Sequence, residues 1–253
     1  MTAPLRPSID VRRADERFVT RLTWLESRHS FSFGPHYDPA NTHHGLLLVN
    51  NEDVVAAGSG FGPHPHREME IVTWVLQGSL AHQDSAGHSG VLTPGLVQRM
   101  SAGTGVVHSE TNDAWHLQGG QPHNEPVHLV QMWVVPDESG LRPGYEQRDI
   151  DAALRRGGLL PIASGMPKHD GEAAVRIGNR RAALHAARMQ SGDRVQLPDA
   201  PFLHLFVALG AIDLEGVGTL GAGDAARFTA SGGRQVTATA SAEILTWEMY
   251  ARL

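Results

Sequence analysis

Hydrophobic and polar residues alternate in short runs along most of the chain. The run HSFSFG over residues 29–34 alternates strictly and predicts a strand with Phe31 and Phe33 on one face. Residues 70–77 and 127–135 are rich in Val, Ile, Thr and Trp, which favour strands. Turn-forming residues interrupt these runs about every ten residues, and helical periodicity is almost absent. The pattern predicts an all-β protein built as a barrel or a sandwich.

Polar and glycine-rich segments indicate where the predicted strands end. A short apolar run over residues 46–50 predicts a strand, and the polar residues Asn51, Glu52 and Asp53 that follow predict its end. The glycines and the proline of residues 58–63 then exclude a helix at the start of the next segment.

The second half of the chain repeats the pattern of the first. The segment VTWVLQGSLAH (72–82) matches LFVALGAIDLE (205–215), so that Gly78 aligns with Gly210 in a common strand–glycine–strand hairpin. A polar segment after residue 135 separates the two patterns. We therefore predict two related β-barrels packed together: an N-terminal domain over residues 1–135, and a linker plus a C-terminal domain over residues 136–253.

Composition narrows the classes of function. The chain has 253 residues, no cysteine and a formal net charge of −6. The absence of cysteine excludes disulfides, thiol catalysis and thiolate metal ligands, and no basic stripe typical of nucleic-acid binding is present. Apolar runs are too short to span a bilayer, and residues 1–20 contain no apolar signal segment. We expect a cytoplasmic protein without direct contact to nucleic acid or membrane.

Histidines are concentrated in the first half of the chain. Twelve of the fifteen lie at or before His128, so any histidine-rich site is expected in the first domain. The alignment of Gly78 with Gly210 places Gln196 and Pro198 at the positions of the HPH histidines. The second domain is therefore predicted to have the barrel pattern without metal ligands.

Two pairs of potential ligands stand one residue apart. His64 and His66 form the first pair, and His108 and Glu110 form the second after an intervening hairpin pattern. Residues i and i+2 of a strand point to the same face, so each pair can direct two side chains at one point. Three imidazoles and one carboxylate suit a divalent first-row metal and leave coordination positions open. Isolated HxH pairs also occur on exposed strands without any metal, and this remains the alternative interpretation.

The segment from about Ser27 to Trp133 resembles the pirin family of bicupins. The resemblance is dense over the first half of the chain and only general over the second. It rests on the motifs HSFSFG, YDPAN, GFGPHPHREMEIVTWVLQG, HQDS, PGLVQRMSAGTGVVHSE and HLVQMW.

The resemblance implies a metal site and an activity. It implies that His64, His66, His108 and Glu110 bind the metal, whereas Glu70, at the position other cupins use, has a supporting role. Fe(II) is the expected metal, with Mn, Ni, Cu or Zn as alternatives. Several bacterial pirins resemble quercetinases, so the implied reaction is the oxidative ring opening of a flavonol such as quercetin by dioxygen, with release of CO. Glu110 is then expected to act as the catalytic base as well as a ligand.

Two functions of different classes follow from the same site. The first is this dioxygenase, which acts on a small aromatic substrate. The second is a non-enzymatic, iron-binding redox sensor that acts through a protein partner. Catalysis requires a substrate-sized cavity over the metal with apolar and aromatic walls, for which the sequence offers Phe31, Phe33, Trp74, Met100 and Trp133.

Overall fold

The computed structural model describes residues 4–253 and consists largely of antiparallel strands. The first half contains β1 (Ser8–Arg12), β2 (Phe18–Arg21), β3 (Leu25–His29), β4 (Leu47–Val55), β5 (Gly60–His66), β6 (Glu70–Gln77), β7 (Leu80–Asp84), β8 (Ser89–Leu92), β9 (Leu96–Ser101), β10 (Val106–Thr111), β11 (Val127–Val134) and β12 (Gly144–Asp149). The second half contains β13 (Leu160–Ser164), β14 (Val175–Arg176), β15 (Ala182–Met189), β16 (Arg194–Gln196), β17 (Phe202–Leu209), β18 (Ala211–Leu214), β19 (Gly218–Gly221), β20 (Ala225–Thr229), β21 (Gln235–Ala238) and β22 (Ala242–Met249).

Helices are short. One turn of α-helix forms at α1 (Trp115–Gln118) and another at α2 (Asp151–Leu154). Single 3₁₀ turns occur at Ala14–Glu16 and Pro167–His169. Within residues 4–253, none of these helices has the length and apolar character needed to cross a membrane.

The strands form two barrels, each made of a seven-stranded and a four-stranded sheet. The first barrel orders its strands β12-β9-β6-β11-β4-β3-β2 and β5-β10-β7-β8. The second orders them β1-β20-β17-β22-β15-β13-β14 and β16-β21-β18-β19. Apolar side chains from both sheets of each barrel pack together in its interior. These sheets confirm the predicted all-β fold of two packed barrels.

The two barrels exchange strands across the predicted boundary at residue 135. Strand β1 pairs with β20 of the second barrel, although it lies at the start of the chain. Strand β12, beyond the boundary, pairs with β9 of the first barrel. A cut at residue 135 therefore does not separate the sheets, because each barrel completes its edge with a strand from outside its half. The boundary was predicted from the local sequence pattern, and this pattern does not show which distant segments pair through their backbones.

The largest apolar cluster lies between the barrels. It joins Trp74 of β6 to Phe206 and Trp247 of the second barrel, and all three side chains are fully buried. The Trp74 indole Nε1 also donates a hydrogen bond of 2.7 Å to the Glu243 carboxylate on β22. This packing joins the two barrels through their broad sheets.

Two strands differ from the sequence prediction. The predicted strand over residues 29–34 is wrong in its bounds, because β3 ends at His29 and Gly34 adopts a positive φ of 56°. Phe31 then packs between the barrels with the Arg227 guanidinium 4.3 Å from its ring centroid, whereas Phe33 contacts Trp133. The two phenylalanines do not share a face.

Strand β4 is longer than predicted. It continues through Asn51, Glu52 and Asp53 to Val55, because β3 and β11 pair with this segment on either side. Asn51 and Asp53 are consequently buried in the middle of a strand rather than exposed at its end.

The predicted repeat agrees with the positions of two glycines. Gly78 follows β6 with φ 79°, and Gly210 follows β17 with φ 75°. Each starts the tight turn into the next strand, and the positive φ favours glycine at both positions. Gln196 lies on β16, which pairs with β21 as β5 pairs with β10 in the first barrel.

Two histidines at the contact between the barrels are kept neutral by burial. Burial lowers the pKa of His44 to about 4, and it lowers the pKa of the fully buried His204 well below its usual value. The unfolded chain therefore binds protons at these residues at pH 5–6, whereas the folded protein does not.

We expect acid to destabilise the fold below about pH 6.5 for this reason. For His44, between the unfolded pKa of about 6.5 and the folded pKa of about 4, the unfolded state binds more protons, so the free energy of unfolding falls by up to about 1.4 kcal/mol per pH unit, and His204 acts in the same direction. His44→Gln retains a hydrogen-bond donor near the Phe228 carbonyl oxygen but has no group that titrates in this range. Between pH 6.5 and 5, its free energy of unfolding should fall by roughly 1.5–2 kcal/mol less than that of the parent. Urea denaturation at several pH values measures this. Equal pH slopes for parent and variant, with exposed His116→Gln as the control, would contradict it.

Candidate metal centre

Strands β5 and β10 bring the two ligand pairs of the sequence together. The strands are antiparallel, and His64 lies directly opposite His108. An extra residue in β5 shifts the register between His108 and Glu110, and such bulges redirect side chains beside functional sites. Gly60 permits close approach of the two backbones, since a Cβ atom there would lie 2.3 Å from the Glu110 carbonyl oxygen.

Three of the four predicted ligands form one cluster. Ring nitrogens of His64, His66 and His108 all lie within 4.8 Å of one another. The ring centroids are 4.9 Å apart for His64 and His66, 4.4 Å for His64 and His108, and 5.0 Å for His66 and His108. Three imidazoles at this spacing can direct lone pairs at a single point.

Each of the three rings has an Nε2 atom that can bind a metal. His64 contacts the Gly62 carbonyl oxygen through Nδ1 at 2.8 Å, which fixes a proton on Nδ1 and leaves Nε2 as an acceptor. His66 Nε2 and His108 Nε2 are buried, and neither has a hydrogen-bond partner among residues 4–253. Buried polar atoms normally have partners. A divalent cation bound between the rings would satisfy all three nitrogens, so the residues present fit a metal.

The protonation states of the histidines also suit a metal. Burial, together with the neighbouring histidines, lowers the pKa of His66 to about 4 and that of His108 to about 3. Both rings are therefore neutral at pH 7, with lone pairs available to a cation.

Glu110 lies beside this cluster rather than within it. Its carboxylate groups with His108 and the buried His82, with ligand atoms again within 4.8 Å of one another. Gln131 Nε2 donates to one Glu110 oxygen at 2.7 Å, and the Thr73 hydroxyl donates to the other at 3.4 Å. The structure thus places Glu110 next to one of the three histidines and holds its carboxylate from strands β6 and β11.

His82 is a site residue that the sequence did not single out. It is fully buried on β7, opposite Glu110, and its Nδ1 lies 3.4 Å from Nδ1 of His108. Tyr145 of β12 covers it, with ring centroids 4.8 Å apart. The i, i+2 rule could not identify His82, because its position next to His108 depends on the pairing of β7 with β10. The single signal in the sequence was the HQDS motif.

Among residues 4–253, Glu70 belongs to neither of these two groups of potential ligands. It is buried and accepts a hydrogen bond of 2.7 Å from the Ser101 hydroxyl. A supporting or purely structural role for Glu70 stays a prediction.

A cavity of about 240 Å³ is lined by His64, His66 and Glu110. This volume lies just below the range typical of small-molecule sites, ~300–1,000 Å³. Two of the five aromatic and apolar residues proposed from the sequence contribute to its walls, whereas Phe31, Trp74 and Met100 belong to apolar clusters. The cavity is lined by Thr20, Leu25, Ser27, His29, Phe33, Gly34, Pro35, Asn51, Asp53, Phe61, His64, His66, Glu110, Gln131 and Trp133.

A second group of potential ligands lies inside the second barrel. His169, His185 and Glu248 offer ligand atoms within 4.8 Å of one another. The Glu248 carboxylate, however, already accepts hydrogen bonds from His185, Lys168 and Tyr250. Burial raises the pKa of Glu248, but these hydrogen bonds outweigh it and lower the pKa to about 2. We interpret the group as an ion-pair network around the buried Glu248 carboxylate, and the absence of a metal site from the second domain stays a prediction.

Comparisons with known proteins agree with this architecture. The Pirin family model matches residues 11–134. A Mycobacterium tuberculosis protein provisionally named quercetin 2,3-dioxygenase is 58% identical over 246 residues, which cover 97% of each chain. Quercetin 2,3-dioxygenase of Escherichia coli K12 is 46% identical over 144 residues, covering 57% of this chain and 59% of the relative.

Solved structures extend the agreement to the whole fold. The crystal structure of YhhW from Escherichia coli superposes with a TM-score of 0.84 at 33% identity and covers 97% of this chain and 99% of YhhW. The bacterial pirin YhhW in complex with nickel(II) gives a TM-score of 0.82 at 30% identity, covering 97% and 100%. The fold and the histidine cluster define a bicupin with a candidate metal centre in its first barrel. With these relatives, the chain belongs to the pirin family.

Proposed function

We propose that this pirin is an Fe(II)-dependent dioxygenase that opens the ring of a flavonol such as quercetin and releases CO. His64, His66, His108 and Glu110 would hold the metal. The proposal is carried mainly by the cavity with aromatic walls that is lined by His64 and His66 of the three-histidine cluster. The names of the relatives support it, since they include quercetin 2,3-dioxygenases and a pirin in complex with nickel(II).

The bound metal would act as a Lewis acid towards the substrate oxygen and make electrons available for the reaction with dioxygen. The residues of the chain bind and orient the substrate. Phe33, Phe61 and Trp133 provide apolar walls on which aromatic rings can stack. Because His66 and Trp133 are in edge-to-face contact, with centroids 4.8 Å apart, a ring held against Trp133 lies next to the histidine cluster.

Glu110 would take the proton of the flavonol 3-hydroxyl. Its carboxylate lines the cavity and lies beside His108. Gln131 fixes its orientation, and the Trp133 indole Nε1 in turn donates to Gln131 Oε1 at 3.0 Å. A base fixed in this way loses little orientational freedom when the substrate arrives.

Glu110→Gln separates the role of base from that of ligand. We expect turnover to fall by about 100-fold or more, whereas iron content falls much less, because three histidines remain and glutamine preserves the shape of the side chain. Iron per chain and the rate of flavonol loss are measured on the same preparation, with exposed Glu172→Gln as the control. Equal losses of iron and activity would contradict the role of Glu110 as the base.

The proposed reaction is tested by loading the protein with Fe(II) without air, adding quercetin and then admitting air. Loss of the flavonol absorbance band with stoichiometric CO, abolished in His64→Ala, is the expected result. Tight stoichiometric iron without turnover would instead favour the redox sensor or another substrate. No metal under any condition would contradict the site.

A further inference from the structure

Strand β4 carries polar side chains into the interior of the first barrel. Asn51 and Asp53 both line the cavity and are only 5% and 4% exposed. Burial of polar groups costs free energy unless hydrogen bonds replace their contacts with water. The partners of these hydrogen bonds therefore indicate whether each polar side chain serves the fold or a ligand.

The sheet register fixes the depth of each residue. Asn51 lies between His29 and Gln131 on the neighbouring strands, and Asp53 lies between Ser27 and Leu129. The Asp53 row is two residues, roughly 7 Å, deeper along the barrel than the Asn51 row. The next row inward, formed by Leu25, Val55 and Val127, is part of the apolar core. Asp53 thus lies in the polar row at the floor of the cavity, and Leu25 of the apolar row beneath it closes the cavity there.

The upper row has its hydrogen bonds within the protein. The ring of His29 contacts Asn51 Oδ1 at 3.0 Å and the Thr20 hydroxyl at 2.9 Å. Gln131 bridges Glu110 and Trp133.

Asp53 differs from its neighbours in the upper row. Its Oδ1 atom is buried, and no residue within 4–253 makes a hydrogen bond to it. Burial and the charge of Glu110 raise the pKa of Asp53 to about 7, although the Ser27 hydroxyl opposes this. Near neutral pH this carboxyl group can therefore donate a hydrogen bond as well as accept one.

We propose that Asp53 binds a hydroxyl group of the aromatic substrate at the floor of the cavity, so that the site selects polyhydroxylated aromatic compounds. The inference rests on the proposed function only in assuming that an aromatic substrate occupies this cavity. A ring that reaches from the histidines to the floor would place a substituent next to Asp53 Oδ1. That hydroxyl supplies the partner which the protein does not, and an analogue without it leaves the carboxyl group unpaired.

The test compares two probes with Fe(II)-loaded protein kept free of dioxygen, so that binding is measured without turnover. Quercetin carries hydroxyl groups on both ring systems, whereas 3-hydroxyflavone keeps only the 3-hydroxyl. Affinity is read from the shift of the flavonol absorbance band. The variants are Asp53→Ala and Asp53→Asn, with the exposed Asp213→Ala as the matched control. Iron content and the unfolding midpoint of every variant confirm that each is folded and loaded.

We expect Asp53→Ala to weaken quercetin binding by about 10-fold and 3-hydroxyflavone binding by less than about twofold. Asp53→Asn, which retains a donor and an acceptor, should restore most of the affinity for quercetin. Equal losses for both probes would overturn the inference, since they would show that Asp53 only maintains the cavity. Unchanged quercetin affinity in Asp53→Ala would overturn it as well.

If the iron-loaded parent binds neither probe, the flavonol assignment of the proposed function fails, and the substrate class inferred from Asp53 fails with it. If the iron-loaded parent binds both probes with equal affinity, only the role of Asp53 is contradicted.

Discussion

Replacing His108 by alanine is expected to weaken Fe(II) binding by at least about 100-fold. Loss even of a residue that only supports a ligand costs 10–100-fold in metal affinity, and His108 is the histidine shared by both ligand groups. Its ring also lies between His64 and the buried His82, so its removal leaves both rings without their neighbour. The site would lose both a ligand and the packing that aligns the others.

The measurement is iron per chain after anaerobic loading and dialysis, followed by a competition titration with a chelator. His116→Ala is the matched control, since His116 is exposed in the short helix α1. Unchanged iron affinity in His108→Ala would show that the metal binds elsewhere, and the proposed centre would be wrong.

Replacing Trp74 by alanine is expected to lower the free energy of unfolding by about 3–5 kcal/mol. The side chain is fully buried between the two barrels, so its loss leaves a large cavity. Glu243 also loses the indole donor and retains Arg188 at 2.8 Å as its remaining partner.

Trp74→Phe divides this effect into packing and hydrogen bonding. Phenylalanine fills much of the space without the Nε1 donor, so we expect a loss of about 1–3 kcal/mol. Urea denaturation followed by circular dichroism gives both values, and Leu117→Ala on the surface serves as the control. A loss below about 1 kcal/mol for Trp74→Ala would mean that the contact between the barrels contributes little to stability.

The sequence predicted the histidine cluster because its pattern is local. Side chains at i and i+2 of a strand share a face whatever the strand pairs with, so HPH and HSE could each be read as a pair. The strands themselves were predicted from alternation and from β-branched and aromatic residues, which reflect local preference and burial. The hairpin glycines were predicted in the same way, since Gly78 and Gly210 adopt the positive φ that turns require.

The position of Glu110 shows the limit of local reasoning. The sequence placed it with His108, and the structure does too, but the contacts that hold its carboxylate come from Thr73 and Gln131 on other strands. The extra residue in β5 also changes which residue of that strand lies opposite Glu110. Neither feature follows from the residues next to Glu110 in the chain.

The sequence by itself determined the strand content, the tandem barrel pattern and the two ligand pairs, because each depends on residues close together in the chain. The tertiary structure decided which strands cross between the barrels and that Asn51 and Asp53 lie inside a barrel rather than at a strand end. It also decided that His82 lies next to His108. These features depend on pairing between strands that are distant in the chain, such as Ser8 of β1 with Thr229 of β20. A polar residue that ends a strand and one that faces a cavity look alike in sequence, and only the neighbouring strands distinguish them.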